Sequence, residues 1–97
     1  MTASPAVHLQ ILRGYMEEIT LRLRVRQLLE SGKMPCDEPD KTWAGRGTGT
    51  HCAVCGEPIT PAEVEFEAEL PTGITLRLHR LCHEVWREEC ESLPALE

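Results

Sequence analysis

Four residues with metal-binding side chains form two short pairs in the second half of the chain. Cys52 and Cys55 are separated by two residues, and His79 and Cys82 repeat this spacing after an interval of 23 residues. A two-residue gap lets a tight turn direct two side chains at one ion, and Gly56 permits the positive φ that such a turn often needs. Three thiolates and one imidazole are a ligand set that zinc binds as a tetrahedron. The spacing therefore predicts a Cys3His zinc site with no open coordination position.

The segment between the two pairs has the pattern of a β-hairpin. Apolar and polar residues alternate over 63–70 and 74–80, and the intervening Pro-Thr-Gly is typical of a tight turn. Helical spacing returns over residues 81–93. Cys82 is therefore expected in the first turn of a helix, where the positive end of the helix dipole favours a thiolate.

The hairpin register also predicts a residue behind the zinc ligands. The three-residue turn places Leu70 opposite Ile74, and in that register Glu65 faces His79. A carboxylate beside a zinc-bound histidine can hold its other ring nitrogen. We therefore predict Glu65 as the partner of His79, although a one-residue slip would move it to another position.

The N-terminal residues 1–31 are predicted to form an amphipathic helix over 5–31. Pro5 suits the first helical position, Gly32 provides a stop, and apolar residues recur at steps of three and four. The alternating residues 21–26 also fit a strand, so both interpretations stay open for that stretch. Residues 32–50 hold glycines and prolines without periodicity, which predicts a loop or linker with Trp43 anchoring it to the core.

The composition favours a small α+β domain that needs a metal ion, a disulfide or a partner subunit for stability. With 97 residues, one Phe and one Tyr, the chain can bury only a thin core. The zinc ion of the module over 51–97 would supply that stabilisation. Residues 52–97 carry a net charge of −7 while residues 1–31 carry +1, so the module would repel a phosphate backbone.

The remaining cysteines and histidines are predicted to be outside the zinc site. No long apolar run or secretory signal is present, so a cytoplasmic protein with reduced cysteines and no membrane contact is expected. Cys36 has acidic neighbours that would raise its pKa, and Cys90 is expected as a buried thiol beside Trp86. His83 is predicted to be a surface or packing residue.

The sequence "CAVCGEPI…EVEFEAEL…LRLHRLCHEVW" resembles a treble-clef zinc finger, in particular a single module of the LIM type or of the poly(ADP-ribose) polymerase type. The resemblance covers residues 51–90. It implies that Cys52 and Cys55 form the zinc knuckle and that His79 and Cys82 complete the site.

These features favour a protein-interaction or regulatory module over an enzyme. The sequence shows no nucleophile–base pair, phosphate loop or carboxylate dyad, so no small-molecule substrate is expected. The N-terminal helix is expected to pack on another protein or on a second copy of the chain. One alternative is a nucleic-acid-associated transcriptional factor with a basic strip made of Arg22, Arg24, Arg26, Lys33, Lys41 and Arg46. Another is a redox thiol switch, in which Cys52 and Cys55 form a disulfide as zinc leaves.

Overall fold

The computed structural model describes the backbone of residues 5–92 and the side chains of residues 17–92. Its elements are α1 (Pro5–Glu30), β1 (Lys41–Arg46), β2 (Val64–Glu69), β3 (Thr75–His79) and α2 (Arg80–Ser92). The strands form one antiparallel sheet in the order β1-β2-β3. The fold is therefore a small α+β arrangement, as predicted. Within the described residues, neither helix is both long and apolar enough to cross a membrane.

The N-terminal segment is one uninterrupted helix, which confirms the helical interpretation and rules out a strand at residues 21–26. The helix ends before Gly32, whose φ of 76° is the left-handed conformation that commonly terminates helices. The sequence also predicts Ser4 as the N-cap and places apolar residues of the helix at positions 9, 12 and 16, but Ser4 and these side chains lie outside what the structure describes.

The two sides of α1 differ in burial. Val25 is fully buried, and Leu21, Leu28 and Leu29 pack against the core beside it. Ile19 and Leu23 are 41% and 54% exposed. Over residues 17–30, whose side chains the structure describes, the helix packs one apolar strip on the rest of the fold and leaves Ile19 and Leu23 at the surface.

An ion network joins α1 to α2. The buried carboxylate of Glu89 accepts hydrogen bonds from Arg22 at 3.2 Å and from Arg26 at 2.6 Å. Arg22 also donates to Glu18 at 2.9 Å and to Glu88 at 2.6 Å. Two arginines of the suggested basic strip are thus occupied by carboxylates of the same chain.

Strand β1 lies within the stretch that was predicted to be a loop or linker, so that prediction is wrong for residues 41–46. All six of its side chains are exposed, which leaves no alternation of apolar and polar residues to detect. Trp43 is 49% exposed and does not anchor the segment to the core. The register explains this, because Trp43 pairs with Glu67 while the neighbouring Phe66 stacks on His83 of α2. Trp43 therefore lies on the sheet face opposite the helix.

The core lies between α2 and the β2–β3 hairpin. Its most completely buried side chains are Trp86, Ile59, Leu70, Leu78, Val25, Val54 and Val85. The hairpin itself is confirmed, with Gly73 at φ 93° in the turn and Leu70 donating to the carbonyl of Ile74 at 2.8 Å.

The prediction that every cysteine is reduced is wrong, because Cys36 and Cys90 form a disulfide. Cys90 is not a free thiol, and the raised pKa expected for Cys36 does not apply. The fold brings the two together because α2 packs on residues 35–37. The Trp86 indole donates to the carbonyl of Pro35 at 2.8 Å, and the Cα atoms of the two cysteines lie 5.4 Å apart, within the disulfide range.

Candidate metal centre

Cys52 and Cys55 lie on a tight turn whose backbone is closed by its own hydrogen bonds. The amide of Gly56 donates to the carbonyl of Cys52 at 3.0 Å, and the amide of Cys52 donates to Glu57 at 2.9 Å. Gly56 adopts a φ of 79°, which a residue with a Cβ rarely does. The turn therefore depends on the glycine predicted from the sequence, and it directs both thiols to one side.

The turn is docked on the edge of β3 by one backbone hydrogen bond and by one bond from a backbone amide to a thiol. Leu70 and Ile74 are a hydrogen-bonded pair of the β2–β3 ladder. Because such pairs alternate, Arg77 and His79 direct their backbone groups away from β2. The knuckle uses both, since Ala53 donates to the carbonyl of Arg77 at 2.9 Å and the amide of His79 donates to Cys52 Sγ at 3.5 Å.

His79 and Cys82 lie on either side of the junction between β3 and α2, which follow one another without a loop. His79 is the last residue of the strand and Cys82 is the third residue of the helix. With Cys52 and Cys55 they form a group whose ligand atoms all lie within 4.8 Å of one another. Cys55 Sγ lies 3.3 Å from Nδ1 of His79. The structure thus brings together the four residues predicted as ligands.

Burial differs among the four residues of this cluster. Cys52 and Cys82 are 3% and 2% exposed, while Cys55 and His79 are half-buried. A groove of about 610 Å³ between α1 and the start of α2 is lined by Cys55, His79 and Cys82 together with apolar side chains such as Leu21. The cluster is therefore enclosed on its inner side and reachable from the groove.

The thiols of the cluster lie too close to ionise together on their own. A hydrogen bond from Cys82 lowers the pKa of Cys52 to about 4. The same contact, together with burial, raises the pKa of Cys82, and burial raises the pKa of Cys55. Burial lowers the pKa of His79, but the Cys52 thiolate and Glu63 outweigh it, so the net shift is upward. A divalent cation would replace the protons that the thiols share through hydrogen bonds, and its positive charge would allow all three thiols to ionise.

The register predicted for the hairpin is the observed one, with Glu65 paired to His79 across the strands. The contact with the histidine ring is nevertheless made by another residue. Nε2 of His79 lies 3.3 Å from Oε1 of Glu63, while the Glu65 carboxylate accepts from Thr48 at 2.8–2.9 Å and from Arg77 at 2.7 Å. Glu65 is buried, and burial alone would raise its pKa. Its hydrogen bonds from Arg77 and Thr48 outweigh that effect, so the pKa of Glu65 is lowered.

Glu63 was missed by sequence reasoning, although a local signal was present. The pattern Thr-x-x-Glu at 60–63 is that of a capping box. The Glu63 carboxylate accepts from the amide of Thr60 at 2.8 Å and from its hydroxyl at 3.1 Å. This box holds the carboxylate in place just before β2, within reach of the His79 ring.

The segment between β1 and the knuckle was also missed as a structural part of the site. Gly49 donates to Ile59 at 2.8 Å, Ile59 donates to Thr50 at 2.9 Å, and His51 bridges to Pro58. A Cβ on Gly47 would collide with the carbonyl oxygens of residues 59 and 60. Residues 47–51 therefore pair with residues 58–60 as a narrow two-stranded ribbon around the knuckle. Glycine is required at position 47, where the two segments approach each other most closely.

The predicted role of His83 is confirmed, because it packs between Phe66 at 4.6 Å and Trp86 at 6.0 Å, measured between ring centroids. His51 is exposed, and its Nδ1 lies 2.9 Å from the carbonyl of Gly56. Neither histidine is part of the cluster.

No family model matches the chain, and comparisons with curated proteins and with solved structures give no significant match. The resemblance to LIM-type and polymerase-type fingers therefore has the motif alone as support. At this level of detail, the protein is a small α+β fold with a Cys3His cluster positioned to hold a metal ion.

Proposed function

We propose that Cys52, Cys55, His79 and Cys82 bind one Zn²⁺ ion and that this ion holds the fold together. The observation that carries the proposal is the convergence of their ligand atoms to within 4.8 Å of one another. In a zinc tetrahedron with Zn–S bonds of about 2.3 Å, the ligand atoms are about 3.8 Å apart. The cluster needs to contract by about an ångström at most to match this geometry.

The chemistry of the donors favours zinc. Thiolates and imidazole are its preferred ligands, whereas magnesium and calcium select oxygen. His79 would bind through Nδ1, the nitrogen that faces Cys55, and Nε2 would then donate to Glu63. That donation fixes the ring tautomer and orientation.

The number of protein ligands favours a structural role. Four side chains fill a tetrahedron, while a catalytic zinc keeps a position for water or substrate. The ion would join the knuckle to the β3–α2 junction, which the described contacts otherwise link through one backbone bond, one bond from an amide to the Cys52 thiol, and the packing of Val54. In a small fold with few large side chains, such a joint replaces missing core.

We further propose that the protein is a non-enzymatic interaction or regulatory module with a treble-clef-like zinc site. The exposed strip of Ile19 and Leu23 on α1 supports packing against a helix of another protein. Binding of nucleic acid is less favoured, since Arg22 and Arg26 are paired with glutamates and Arg24 donates to the carbonyl of Val54. These contacts engage three of the six residues of the suggested basic strip.

The test is the metal content of the purified full-length protein and of four variants. We expect one zinc per chain in the native protein and none in Cys52→Ser or Cys82→Ser. The matched controls are Cys36→Ser and Cys90→Ser, which remove a cysteine outside the cluster and are expected to retain one zinc. Metal-free native protein that stays folded would overturn the proposal.

A further inference from the structure

The two edges of the sheet differ in whether their outward-facing backbone groups are hydrogen-bonded. On the β3 edge, the outward carbonyl of Arg77 and amide of His79 are both bonded by the knuckle. On the β1 edge, the pairing with β2 determines which backbone groups point outward. The amide of Gly47 donates to Glu63 at 2.9 Å, which makes positions 47 and 63 a hydrogen-bonded pair.

Hydrogen-bonded pairs alternate along an antiparallel ladder, so residues 41, 43 and 45 bond to β2. Thr42, Ala44 and Arg46 therefore direct their amides and carbonyls away from the sheet. Among the described residues, nothing further hydrogen-bonds to these backbone groups. Because all six β1 side chains are exposed, neither face of the strand is covered by another element. An uncovered row of this kind is a template for an added strand.

We propose that β1 pairs antiparallel with β1 of a second copy of this chain, around a twofold axis at Ala44. This register opposes position 42 to position 46 and position 44 to itself. Two β1 strands in this register form six hydrogen bonds. No other antiparallel register uses all three outward-facing residues of both strands.

The side chains of β1 are complementary to themselves in this register. Trp43 lies opposite Gly45 of the second copy, where an aromatic ring covers the backbone of a strand glycine. Thr42 lies opposite Arg46, so no two like charges face one another. Lys41 and Arg46 carry the positive charges of the strand and point to opposite faces of the sheet. The second copy is thus favoured over an arbitrary extended peptide.

The pairing is expected to be weak and dependent on concentration. Six residues of each strand bury less than the roughly 1,000 Å² typical of stable interfaces. Sedimentation equilibrium of the zinc-loaded full chain should show a mass that rises from 10.9 kDa towards twice that value. A mass of one chain at every concentration would overturn the proposal, and would leave the edge to a strand of another protein.

Two cysteine variants test the register itself, in a Cys36→Ser and Cys90→Ser background. Ala44→Cys places two thiols across the axis at a Cα separation of about 5.5 Å, within the disulfide range. Thr42→Cys is the matched control, because its two copies would lie about 13 Å apart along the strands. Mild oxidation should crosslink the first variant and not the second. Equal crosslinking of both, or of neither, would contradict the register.

A proline variant tests the backbone bonds without relying on oxidation. Ala44→Pro removes an amide that β2 does not use, so the monomer should keep its zinc and fold. Dimerisation should weaken at least about tenfold, because both bonds of the central pair are lost. Ala44→Thr keeps the amide and should dimerise normally, as should Leu23→Glu on α1. If Leu23→Glu abolishes the dimer and Ala44→Pro does not, the helix is the interface and the proposal fails.

Discussion

Two groups of cysteines join α2 to the rest of the chain, one near each end of the helix, and they are built in different ways. Cys82 in the first turn meets Cys52, Cys55 and His79 in the candidate metal centre. Cys90 in the last turn is bonded to Cys36 in the segment before β1. The first group is assembled from two tight local motifs, whereas the second links positions 54 residues apart with no motif at either end.

The difference shows in what surrounds each group. Apart from the buried side chain of Val54 and the bond from Arg24 to the Val54 carbonyl, the knuckle is tied to β3 by one backbone bond and by the amide of His79, which donates to the ligand atom Cys52 Sγ itself. The segment at Cys36 is held by its neighbours as well, through Trp86 bonding to Pro35 and Arg87 bonding to Asp37 at 3.3 Å. We therefore expect the metal centre to be essential for folding and the disulfide to add stability to a fold that forms without it.

The largest expected effect is that of metal removal. A strong zinc chelator should reach the cluster through the groove that Cys55 and His79 line. Since structural zinc contributes more than about 10 kcal/mol in small domains, the metal-free chain should lose β2, β3 and the knuckle. Circular dichroism and amide NMR would measure the loss, and re-addition of zinc should restore the spectrum. A native spectrum after complete zinc removal would show that the metal centre is no more essential for folding than the disulfide.

The disulfide should have the next largest effect. The double variant Cys36→Ser and Cys90→Ser is expected to lower the free energy of unfolding by about 2–4 kcal/mol, because the denatured chain gains entropy when the loop is opened. It should keep one zinc per chain and the native NMR spectrum. Denaturant titration of the native and double-variant proteins measures the change. Unfolding of the double variant at 25 °C would show that the disulfide is as necessary as the metal.

These two groups also show which parts of the structure could be predicted from sequence. The knuckle, the hairpin and the His-x-x-Cys pair each lie within one short stretch of the chain, so spacing and alternation identify them. The disulfide depends on how α2 packs against residues 35–37, and no local pattern records that packing. Strand β1 was missed for a related reason, since backbone pairing with β2 creates it and none of its side chains is buried.

The contact of Glu63 with His79 illustrates a finer limit. The register of the hairpin follows from its turn, and it correctly placed Glu65 across from His79. Register fixes which Cα atoms are neighbours, but the Glu65 carboxylate is drawn to Thr48 and Arg77 instead. Thr48 lies in the segment whose ribbon structure was not predicted. The competing donor was therefore invisible at the sequence level.

The ion network of Glu89, which lies on α2 between Cys82 and Cys90, should contribute less to the free energy of unfolding than either cysteine group. Glu89→Gln is expected to lower the free energy of unfolding by about 1–2 kcal/mol, since charge-assisted bonds are lost while both arginines keep water or other carboxylates. Glu88→Gln, on the exposed side of Arg22, is the control and should cost less than about 0.5 kcal/mol. Thermal or denaturant unfolding distinguishes the two. Equal losses would mean that burial of Glu89 is unimportant.

The same network predicts a pH dependence. Hydrogen bonding to Arg26 depresses the pKa of Glu89, although burial opposes the shift, and Arg22 adds to it. A depressed pKa means that the stabilisation is fully present above the unfolded value near 4.5 and is lost as pH falls through the folded value. The stability difference between native protein and Glu89→Gln should therefore be constant near neutral pH and shrink below pH 4.5. A difference that grew on acidification would contradict this assignment.

The smallest expected effect is on metal affinity. Glu63→Gln should weaken zinc binding by about tenfold or less, because the exposed carboxylate only orients the His79 ring. Glu65→Gln is the matched control, since it alters a buried carboxylate of the same hairpin that does not contact the histidine. Competition with a chelating dye measures both affinities. A larger loss for Glu65→Gln would restore the partner that the sequence predicted.

The most direct measurement of the central claim is X-ray absorption at the zinc edge on the purified full-length protein. We expect a single shell of three sulfur atoms at about 2.3 Å and one nitrogen at about 2.0–2.1 Å. In Cys36→Ser and Cys90→Ser this shell should be unchanged. A shell with two sulfur atoms, a shell containing water oxygen, or a protein without bound zinc would contradict a closed Cys3His site.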